Sequence, residues 1–343
     1  MGILKSRILY VLMWCLFCAA LTLGFLESNA ISRFSGASLR FYTPISGQNA
    51  FRARQHSVAN TAAFWPTFWR EDRVELSAGN NTAVVDAILF SGDAALVWPA
   101  QYITGSAPSS IDGAGIVVSE TLARGLWGSI DIVGKSVYVN CEPRIVRGVF
   151  SGSAELALIS FHIEDTSQAW TAAELSGGIP NPTRSDAESF AVASGLGRPD
   201  YVLMGGTMAL SRFMSILPIF IPFIYAAGLF VKFIKNHYPA VGAPIFFAGL
   251  ILFAVFLPAL LNNLPAWLIP THWSDFAFWS SISAQVSESM REFLSLSPLM
   301  RDVELKMHLL RQTGFMIFAI FFGIIVCAYF PGQSGRGVTA APK

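Results

Sequence analysis

Two short motifs in this sequence have residue types that support chemistry. Gly134-Lys135-Ser136 resembles the end of a phosphate-binding loop, but that loop needs four residues between its glycines, and five separate Gly128 from Gly134. A tight turn is therefore the better interpretation. Ser119-Glu120 offers a nucleophile beside a base, yet Ser119 lacks the flanking glycines of a nucleophile elbow. A serine at the start of an apolar helical segment is typical of an N-cap, and we interpret Ser119 in that way.

The histidines form no metal-binding pattern. No two of them are spaced as a pair of ligands on one helix would be. They are His56, His162, His237, His272 and His308. The sequence therefore predicts no metal site, no cofactor and no catalytic site, and the protein is not expected to be an enzyme.

Composition indicates a membrane protein. The 343 residues are 53% hydrophobic and 13% charged, whereas a soluble domain has about 25% charged residues. The net charge of +1 argues against nucleic acid as a partner, because proteins that bind it carry basic surfaces. The apolar residues concentrate in blocks that approach or exceed the ~20 residues of a membrane-crossing helix. These blocks are Ile8–Phe25, Phe213–Phe233, Ala243–Ile269 and Gln312–Phe330.

The blocks predict a multi-pass topology in the lipid bilayer. Lys5 and Arg7 precede the first block, which favours a cytoplasmic N-terminus. We therefore predict a transmembrane helix at 1–26, an extracytoplasmic domain at 27–212 and a three-helix transmembrane domain at 213–343. The predicted fold is a membrane protein of four transmembrane α-helices, with an α+β domain inserted between helices 1 and 2. We expect it in the cytoplasmic (inner) membrane of a bacterium.

Two observations leave alternatives open. Ser28-Asn29-Ala30 has the small-x-small form of a cleavage site, so the first block is either a membrane anchor or a signal peptide that is removed. The predicted outer loop 270–311 has more basic residues than the inner loop, which conflicts with the third crossing. Acidic neighbours of these basic residues, Asp302 and Glu304 among them, suggest a solvated surface.

The same outer loop is expected to contain an amphipathic helix at about 274–296. Its apolar residues recur at helical spacing and are separated by Ser, Gln and Glu. They are Phe278, Trp279, Ile282, Val286, Met290 and Phe293. A helix of this kind is typical of the membrane interface, where its apolar face contacts lipid.

The segment between the first two blocks has the pattern of an α+β domain. Residues 84–91 and 116–119 are runs with high strand propensity, and 135–140 and 145–150 give two further strands. Between them, 119–127 has apolar residues at helical spacing, and the following glycine ends that helix. The glycine- and proline-containing stretch from Gly177 to Asp200 is expected to be a loop that leads to the membrane.

An aromatic run precedes these strands and has two interpretations. Phe64, Trp65, Phe68 and Trp69 repeat at the spacing of one helix face, and Arg70 follows them. The first interpretation is that the aromatic residues form part of the domain core. The second is a partner-binding or lipid-facing patch, since Trp and Arg are enriched at binding hot spots.

Three consecutive segments resemble a known family. Gly115–Gly128, Asp131–Asn140 and Val146–Phe150 are similar to the signature of the periplasmic core domain of the MacB/FtsX superfamily, the permeases of type VII ABC transporters. The family pairs a Ser-Glu helix start with a closing glycine, then a Val-Gly-Lys turn, a strand that ends in Asn and a Val-x-Gly-Val strand. The matching structural residues here are Ser119, Glu120, Gly128, Gly134, Asn140 and Gly148.

The resemblance implies a permease-like membrane subunit, acting as a dimer or in a hetero-oligomer. Its outer domain would bind cargo or an envelope partner and transmit motion through the helices. The sequence departs from the family in the inner loop Lys235–Ala243, which is too short for the helix that grips an ATPase and contains Pro239 and Gly242. Lys232 and Lys235 remain as candidate coupling residues.

Two functional hypotheses follow from this departure. In the first, an ABC ATPase is a partner, but it is held through a second permease-like subunit. In the second, the chain is a non-transporting scaffold or adaptor that only binds other envelope proteins and has no ATPase docking of its own. The ATPase content of a native complex distinguishes the two.

The topology is tested by reporter fusions. A reporter fused after Ser151 should be extracytoplasmic, and one fused after Asn236 should be cytoplasmic, because the intervening block crosses the membrane once. A reporter at Ser289 should again be extracytoplasmic. A cytoplasmic signal from Ser289 would show that 243–269 does not cross.

Overall fold

The computed structural model describes residues 2–34, 36–60, 64–177, 183–203, 206–237, 276–297 and 299–329, together with the single residues 247, 249 and 251. The chain divides into two compact units. The helix unit comprises Met1–Ser32, Thr207–Ala284 and Glu304–Lys343, and the sheet unit comprises Arg33–Gly206 and Gln285–Val303. The sheet unit therefore includes a segment from the predicted outer loop.

The helix unit contains long apolar helices. Helices α1 (Gly2–Ser32) and α8 (Met300–Tyr329) each hold a segment long and apolar enough to cross a membrane, namely Ile8–Ser32 and Met300–Ala328. Helix α6 (Gly206–His237) has a shorter apolar part, Leu210–Tyr225. The predicted crossing Ala243–Ile269 lies outside the described residues, apart from three single positions. The described residues thus give two candidate transmembrane helices of the four that were predicted.

The described residues also form four short helices and one longer helix. They are α2 (Gly47–Ala59), α3 (Ala94–Val97), α4 (Glu120–Trp127), α5 (Arg184–Ala193) and α7 (Phe276–Ser295). Helix α7 coincides with the predicted amphipathic helix, and its residues from Gln285 onward belong to the sheet unit. Within that unit, Arg184 of α5 forms an ion pair with Glu292 of α7, with Nη1 3.1 Å from Oε2. Placement of α7 at the membrane interface stays a prediction.

The sheet unit is built on ten strands in a mixed sheet. The strands are β1 (Ala37–Ser46), β2 (Phe64–Ala78), β3 (Asn81–Ser91), β4 (Tyr102–Gly105), β5 (Gly115–Ser119), β6 (Ser136–Val139), β7 (Glu142–Phe150), β8 (Leu156–Ser160), β9 (Ala169–Gly177) and β10 (Tyr201–Leu203). Their order in the sheet is β10-β1-β9-β2-β3-β8-β5-β7-β4. Strand β6 pairs with both β2 and β7, so β2, β3, β8, β5, β7 and β6 form a closed circuit of pairings.

Helix α4 packs against this circuit through its apolar face. Ser119 caps its N-terminus, since the Ser119 side chain accepts a hydrogen bond from the Leu122 backbone N–H at 3.3 Å. Gly128 ends the helix in the left-handed conformation, with φ of 68°, where a residue without Cβ is favoured. From the apolar spacing of this helix and of the strands around it, the sequence predicts five core residues, and all five are buried, which confirms the prediction. They are Val117, Leu122, Leu126, Val137 and Val139.

A two-residue turn joins β6 to β7 and attaches both strands to β2. Asn140 and Cys141 have φ values of 47° and 73°, as in the type I′ turns that match the twist of a hairpin. The Asn140 backbone N–H donates to the Glu75 carbonyl at 2.9 Å, and its side-chain oxygen accepts from the Glu75 N–H at 2.9 Å. Asn140 therefore forms a reciprocal pair of bonds that helps to close the strand circuit.

Two predictions about local structure were wrong. The aromatic run lies in strand β2 and not on a helix. Strand β2 pairs with β9 along the whole run and with β3 from Phe68 onward, and residues 66–69 are buried on both faces of the strand. Strands of this kind have continuous apolar runs, in which periodicity does not separate strand from helix. The stretch 177–200, expected to be a loop, contains α5, and β10 follows it at Tyr201. Thr183 and Asp186 form a capping box at the start of α5.

The β6–β7 turn can be tested by a matched pair of substitutions. Cys141→Gly should raise the free energy of unfolding of the sheet unit by about 1 kcal/mol, because it removes the Cβ from a left-handed residue. Asn140→Gly should not raise it, because the hydrogen bond to Glu75 is lost together with the strain. Protease resistance of the sheet unit in the purified full-length protein, followed along a urea gradient, measures both. Equal effects of the two substitutions would contradict the assigned roles.

Candidate functional site

Four charged side chains are buried together in the sheet unit. Arg40 lies on β1, Glu174 on β9, and Arg301 and Asp302 in the first turn of α8. They are 5%, 2%, 2% and 1% exposed, respectively. Charged residues are almost never so deeply buried unless they are paired, which makes this group the most unusual feature of the unit. We call these residues the charge network.

The charge network is a chain of alternating sign. Asp302 Oδ1 is 2.8 Å from Arg40 Nη2, and Arg40 Nη1 is 3.0 Å from Glu174 Oε1. The second oxygen of Glu174 is 3.1 Å from Arg301 Nη2. Two guanidinium groups thus alternate with two carboxylates, and the formal charges of the four side chains cancel.

Neutral groups complete the surroundings of Glu174. The Ser38 hydroxyl donates a hydrogen bond to Glu174 Oε1 at 2.6 Å, and Trp69 Nε1–H donates to the same oxygen at 3.0 Å. Ser38 is the register partner of Glu174 between β1 and β9, so strand pairing itself places the two side chains together. The Trp69 ring also lies 4.7 Å from the Arg40 guanidinium carbon and 5.8 Å from that of Arg301.

The first turn of α8 is held by further contacts. Arg301 Nε donates to the Val97 carbonyl at 2.9 Å, and Nη2 donates to the Leu96 carbonyl at 3.1 Å, at the end of α3. Glu71 of β2 accepts hydrogen bonds from the backbone N–H groups of Met300 and Arg301. A carboxylate at a helix N-terminus satisfies free N–H groups and is attracted by the helix dipole.

Apolar packing supports the same turn. Leu299 and Met300 pack against a buried cluster of the sheet unit. This cluster comprises Trp69, Ile88, Phe90, Ala94, Val97, Val117, Phe150, Leu156, Leu158 and Ala172. The segment at the start of α8 is therefore an integral part of the core of the sheet unit.

The pKa values of Glu174 in the network and of Glu71 beside it are shifted in opposite directions. Burial raises the pKa of Glu174, but the attraction of Arg301 and Arg40 and the bond from Ser38 outweigh it, so the net pKa lies below its usual range. Burial raises the pKa of Glu71, and the bonds from Met300 and Arg301 offset this only in part. The pKa of Arg40 is raised despite its burial, because Asp302 and Glu174 stabilise the cation. Glu174 is therefore firmly ionised at neutral pH.

The energetics of the network favour a positioning role. Removing the four charged groups from water costs several kcal/mol per ion, which the attraction within their three ion pairs only roughly offsets. Two buried atoms, Arg40 Nε and Asp302 Oδ2, lack a hydrogen-bond partner among the described residues. The network thus adds little net stability, but breaking one pair leaves an uncompensated charge. It specifies where the start of α8 must lie.

The structure corrects the patch interpretation of the aromatic run. Phe64, Phe68 and Trp69 are buried in the core, so they cannot form an exposed partner-binding surface. Trp65 is 49% exposed, and Arg70 is half-buried and bonds to Gln168 Oε1 at 3.3 Å. A role of these last two in partner binding stays a prediction.

The residues of the family-like motif have structural positions. Glu120 pairs with Arg124 one turn along α4, with Oε1 2.8 Å from Nη2. Gly134 lies in the turn before β6 with φ of 87°. A Cβ on Gly148 would come within 3.0 Å of backbone atoms of Thr104 and Ser106, because the end of β4 lies directly beside Gly148 in the sheet. The motif residues lie outside the charge network.

Lys232 and Lys235 lie in the last two turns of α6. Lys232 is exposed. The inner loop beyond His237 lies outside the described residues, and a coupling role for the two lysines stays a prediction.

Sequence reasoning missed the charge network. The expectation of a solvated surface was wrong for Asp302, which is buried. The sequence also indicated no partner for Arg301, one of the basic residues of the predicted outer loop. In the structure Arg301 is paired with Glu174. The sequence contained one indication of the network. Glu174 is the single charged residue of strand β9, and Arg40 is the single charged residue of β1.

Comparison with known proteins gives structural similarity only. No protein-family model matches the chain, and no curated protein sequence matches it. The extracellular domain of the noncanonic ABC-type transporter YknZ from Gram-positive bacteria is similar, with a TM-score of 0.38 and 11% identity over 46% of this chain and 91% of that one. For the periplasmic region of MacB from Actinobacillus actinomycetemcomitans the values are 0.42, 12%, 52% and 93%.

A domain of a permease protein from Porphyromonas gingivalis is also similar, with a TM-score of 0.36 and 13% identity over 47% of this chain and 83% of that one.

The charge network is tested by Glu174→Gln. Because two guanidinium groups would lose their shared carboxylate, the free energy of unfolding of the sheet unit should fall by about 3–5 kcal/mol. The matched control is Asp86→Asn, which removes one carboxylate from an exposed ion pair with Arg73 and should cost about 0–1 kcal/mol. Urea-dependent protease resistance of the full-length protein measures both. Equal losses would contradict a special role for the network.

The pH dependence of stability gives a second readout of Glu174. Its folded pKa lies below that of the unfolded chain, which is about 4.3 for a glutamate. The stabilisation that ionised Glu174 gives to the fold is therefore complete above the unfolded pKa, and it is lost as the pH falls through the folded pKa. The stability of Glu174→Gln should decline less steeply than that of wild type below about pH 4.3. Parallel curves would show that Glu174 is not the titrating group.

Proposed function

We propose that this chain is a permease-like membrane subunit of a MacB/FtsX-type ABC system, whose sheet unit is the extracytoplasmic domain. In this proposal the domain binds cargo or an envelope partner and passes motion to the membrane helices. One observation carries the proposal. The first turn of a candidate transmembrane helix, α8, is built into the core of the sheet unit by the charge network, the Glu71 cap and the packing of Leu299 and Met300.

A helix held in this way is suited to transmit displacement. The backbone of α8 is continuous from Met300 to Tyr329, and a hydrogen-bonded helix is stiff along its axis. A shift of β1 or β9 would pull on Asp302 and Arg301, because separating a buried charge from its partner is costly. The start of α8 would therefore follow the sheet.

The same network also involves the chain that follows α1. Helix α1 ends at Ser32 and β1 begins at Ala37. Arg40, a member of the network, is the fourth residue of β1. The network thus connects residues just after the first candidate transmembrane helix with residues at the start of the last one. This arrangement supports a domain whose movements are passed to both the first and the last candidate transmembrane helix.

The sequence motifs support the same class of protein. The Ser-Glu helix, its closing glycine, the turn at Gly134 and the strand ending in Asn140 are the features by which the chain resembles MacB/FtsX permeases. In the structure each of these residues caps a helix or forms a turn. The inner-membrane, multi-pass location is part of the proposal.

A second candidate function is a non-transporting scaffold of an envelope complex. The observation that favours this function is the shortness of the predicted inner loop. Helix α6 extends to His237, and the next apolar block already begins at Ala243. An ATPase needs a surface of substantial area to bind stably, roughly 1,200 Å² in total. A segment this short offers much less.

The ATPase content of the native complex tests the proposal. Because the inner segments are short, we expect that any ABC ATPase purified with the chain comes with a second permease-like subunit. Replacing Lys232 and Lys235 with serine should lower its recovery only if this chain binds the ATPase directly through these lysines. Affinity purification from the native membrane followed by mass spectrometry identifies the components. A stoichiometric ATPase with no second membrane subunit would contradict the indirect coupling, and the absence of any ATPase would favour the scaffold.

A further inference from the structure

The helix unit contains a polar seam between α1, α6 and α8. It consists of Glu27 and Ser28 from α1, Ser211 and Ser215 from α6, and His308 and Gln312 from α8. Polar residues within membrane helices are costly when they face lipid, so they mark interior contacts. We call these six residues the polar clasp.

The charged layer of the polar clasp joins α1 to α8. Glu27 Oε2 is 2.5 Å from His308 Nδ1, and the other ring nitrogen of His308 is 3.3 Å from Glu304 Oε1. Arg311 approaches the second oxygen of Glu27 at 3.9 Å. His308 thus bridges two carboxylates, one on each helix, and Glu304, His308 and Gln312 follow each other at intervals of one turn on one face of α8.

The neutral layer joins all three helices. The Ser28 and Ser211 hydroxyls are 2.8 Å apart. Gln312 Nε2 donates to the Ser211 carbonyl at 2.7 Å and lies 2.9 Å from the Ser215 hydroxyl. Ser211, Ser215 and Gln312 are completely or almost completely buried. These contacts span residues that lie about a hundred or more positions apart in sequence, so only packing of the helices creates them.

Beyond the polar clasp, the contact between α1 and α8 is apolar and antiparallel. Gly24 faces Met316, Phe17 and Ala20 pack in one buried cluster with Ala319, and Phe17 reaches Gly323. Apolar contacts alone give little preference for one axial position in a membrane, because lipid tails are as apolar as the side chains. Hydrogen bonds are specific, since a slip of one turn, about 5.4 Å, would break all of them.

We infer that the polar clasp fixes α1, α6 and α8 in a single axial register, so that the three helices move as one body. The inference concerns the helix unit and does not depend on the proposed function. The charged layer fixes α1 against α8, and the neutral layer ties α6 to both. The apolar residues supply contact area, while the clasp selects one of several similar packings.

Site-specific cross-linking tests the register. In full-length protein whose native cysteines are replaced with serine, one cysteine at Ala20 is paired with a second at either Ala319 or Gly323. The first pair reports the register of the structure, because both residues lie in one cluster, and the second reports a slip of about one turn. In native membranes the first pair should form the disulfide preferentially.

Variants then weaken the polar clasp. Combining His308→Leu with Gln312→Leu should lower the ratio of in-register to shifted cross-links by about tenfold, since both layers are lost. His308→Gln should retain most of the ratio, because glutamine can still bond to Glu27. The matched control is Thr22→Ala, which removes a hydroxyl bonded only within α1. Its ratio should equal that of the parent.

Two outcomes would overturn the inference. One is an unchanged ratio in the double variant, and the other is an equal change in Thr22→Ala. If the double variant does not accumulate in the membrane, Ser28→Ala is measured in the same way. This substitution removes only the bond to Ser211. The ratio of in-register to shifted cross-links should therefore be lower than in the parent, without reversing in favour of the shifted pair. An unchanged ratio would again overturn the inference.

Discussion

The sheet unit depends on the rule that a buried charge needs a partner. Arg301 can leave water only because Glu174 and two carbonyls of α3 receive its guanidinium group. Glu174 in turn needs Arg40, and Arg40 needs Asp302. Each requirement brings another element to the same place, so β1, β9, α3 and the first turn of α8 are positioned by one chain of charges.

Strand β2 is the element on which this chain rests. It pairs with β9, β3 and β6, and it contributes Trp69, which bonds to Glu174 and lies beside both arginines. It also contributes Glu71, which caps α8. A single long strand therefore connects the closed strand circuit, the charge network and the start of a candidate transmembrane helix.

The family-like motif and the charge network have different roles. Motif residues such as Gly128 and Asn140 form the caps and turns that give the domain its shape. The charges position the first turn of α8 against β1 and β9 within the sheet unit. The motif therefore accounts for the shape of the domain, and the network accounts for the position of the first turn of α8 within the sheet unit.

The sequence by itself determined the elements whose signals are local. The N-cap at Ser119, the closing Gly128, the strands around them and the buried positions of Leu122 and Leu126 follow from spacing and caps within a few residues. Tertiary structure alone decided the charge network, because Arg40 and Asp302 are separated by 262 positions. It also decided that the aromatic run is a strand, since neighbours on both sides bury it. Local periodicity does not encode which distant residue will supply a counter-charge or cover a face, and only the packed chain settles both.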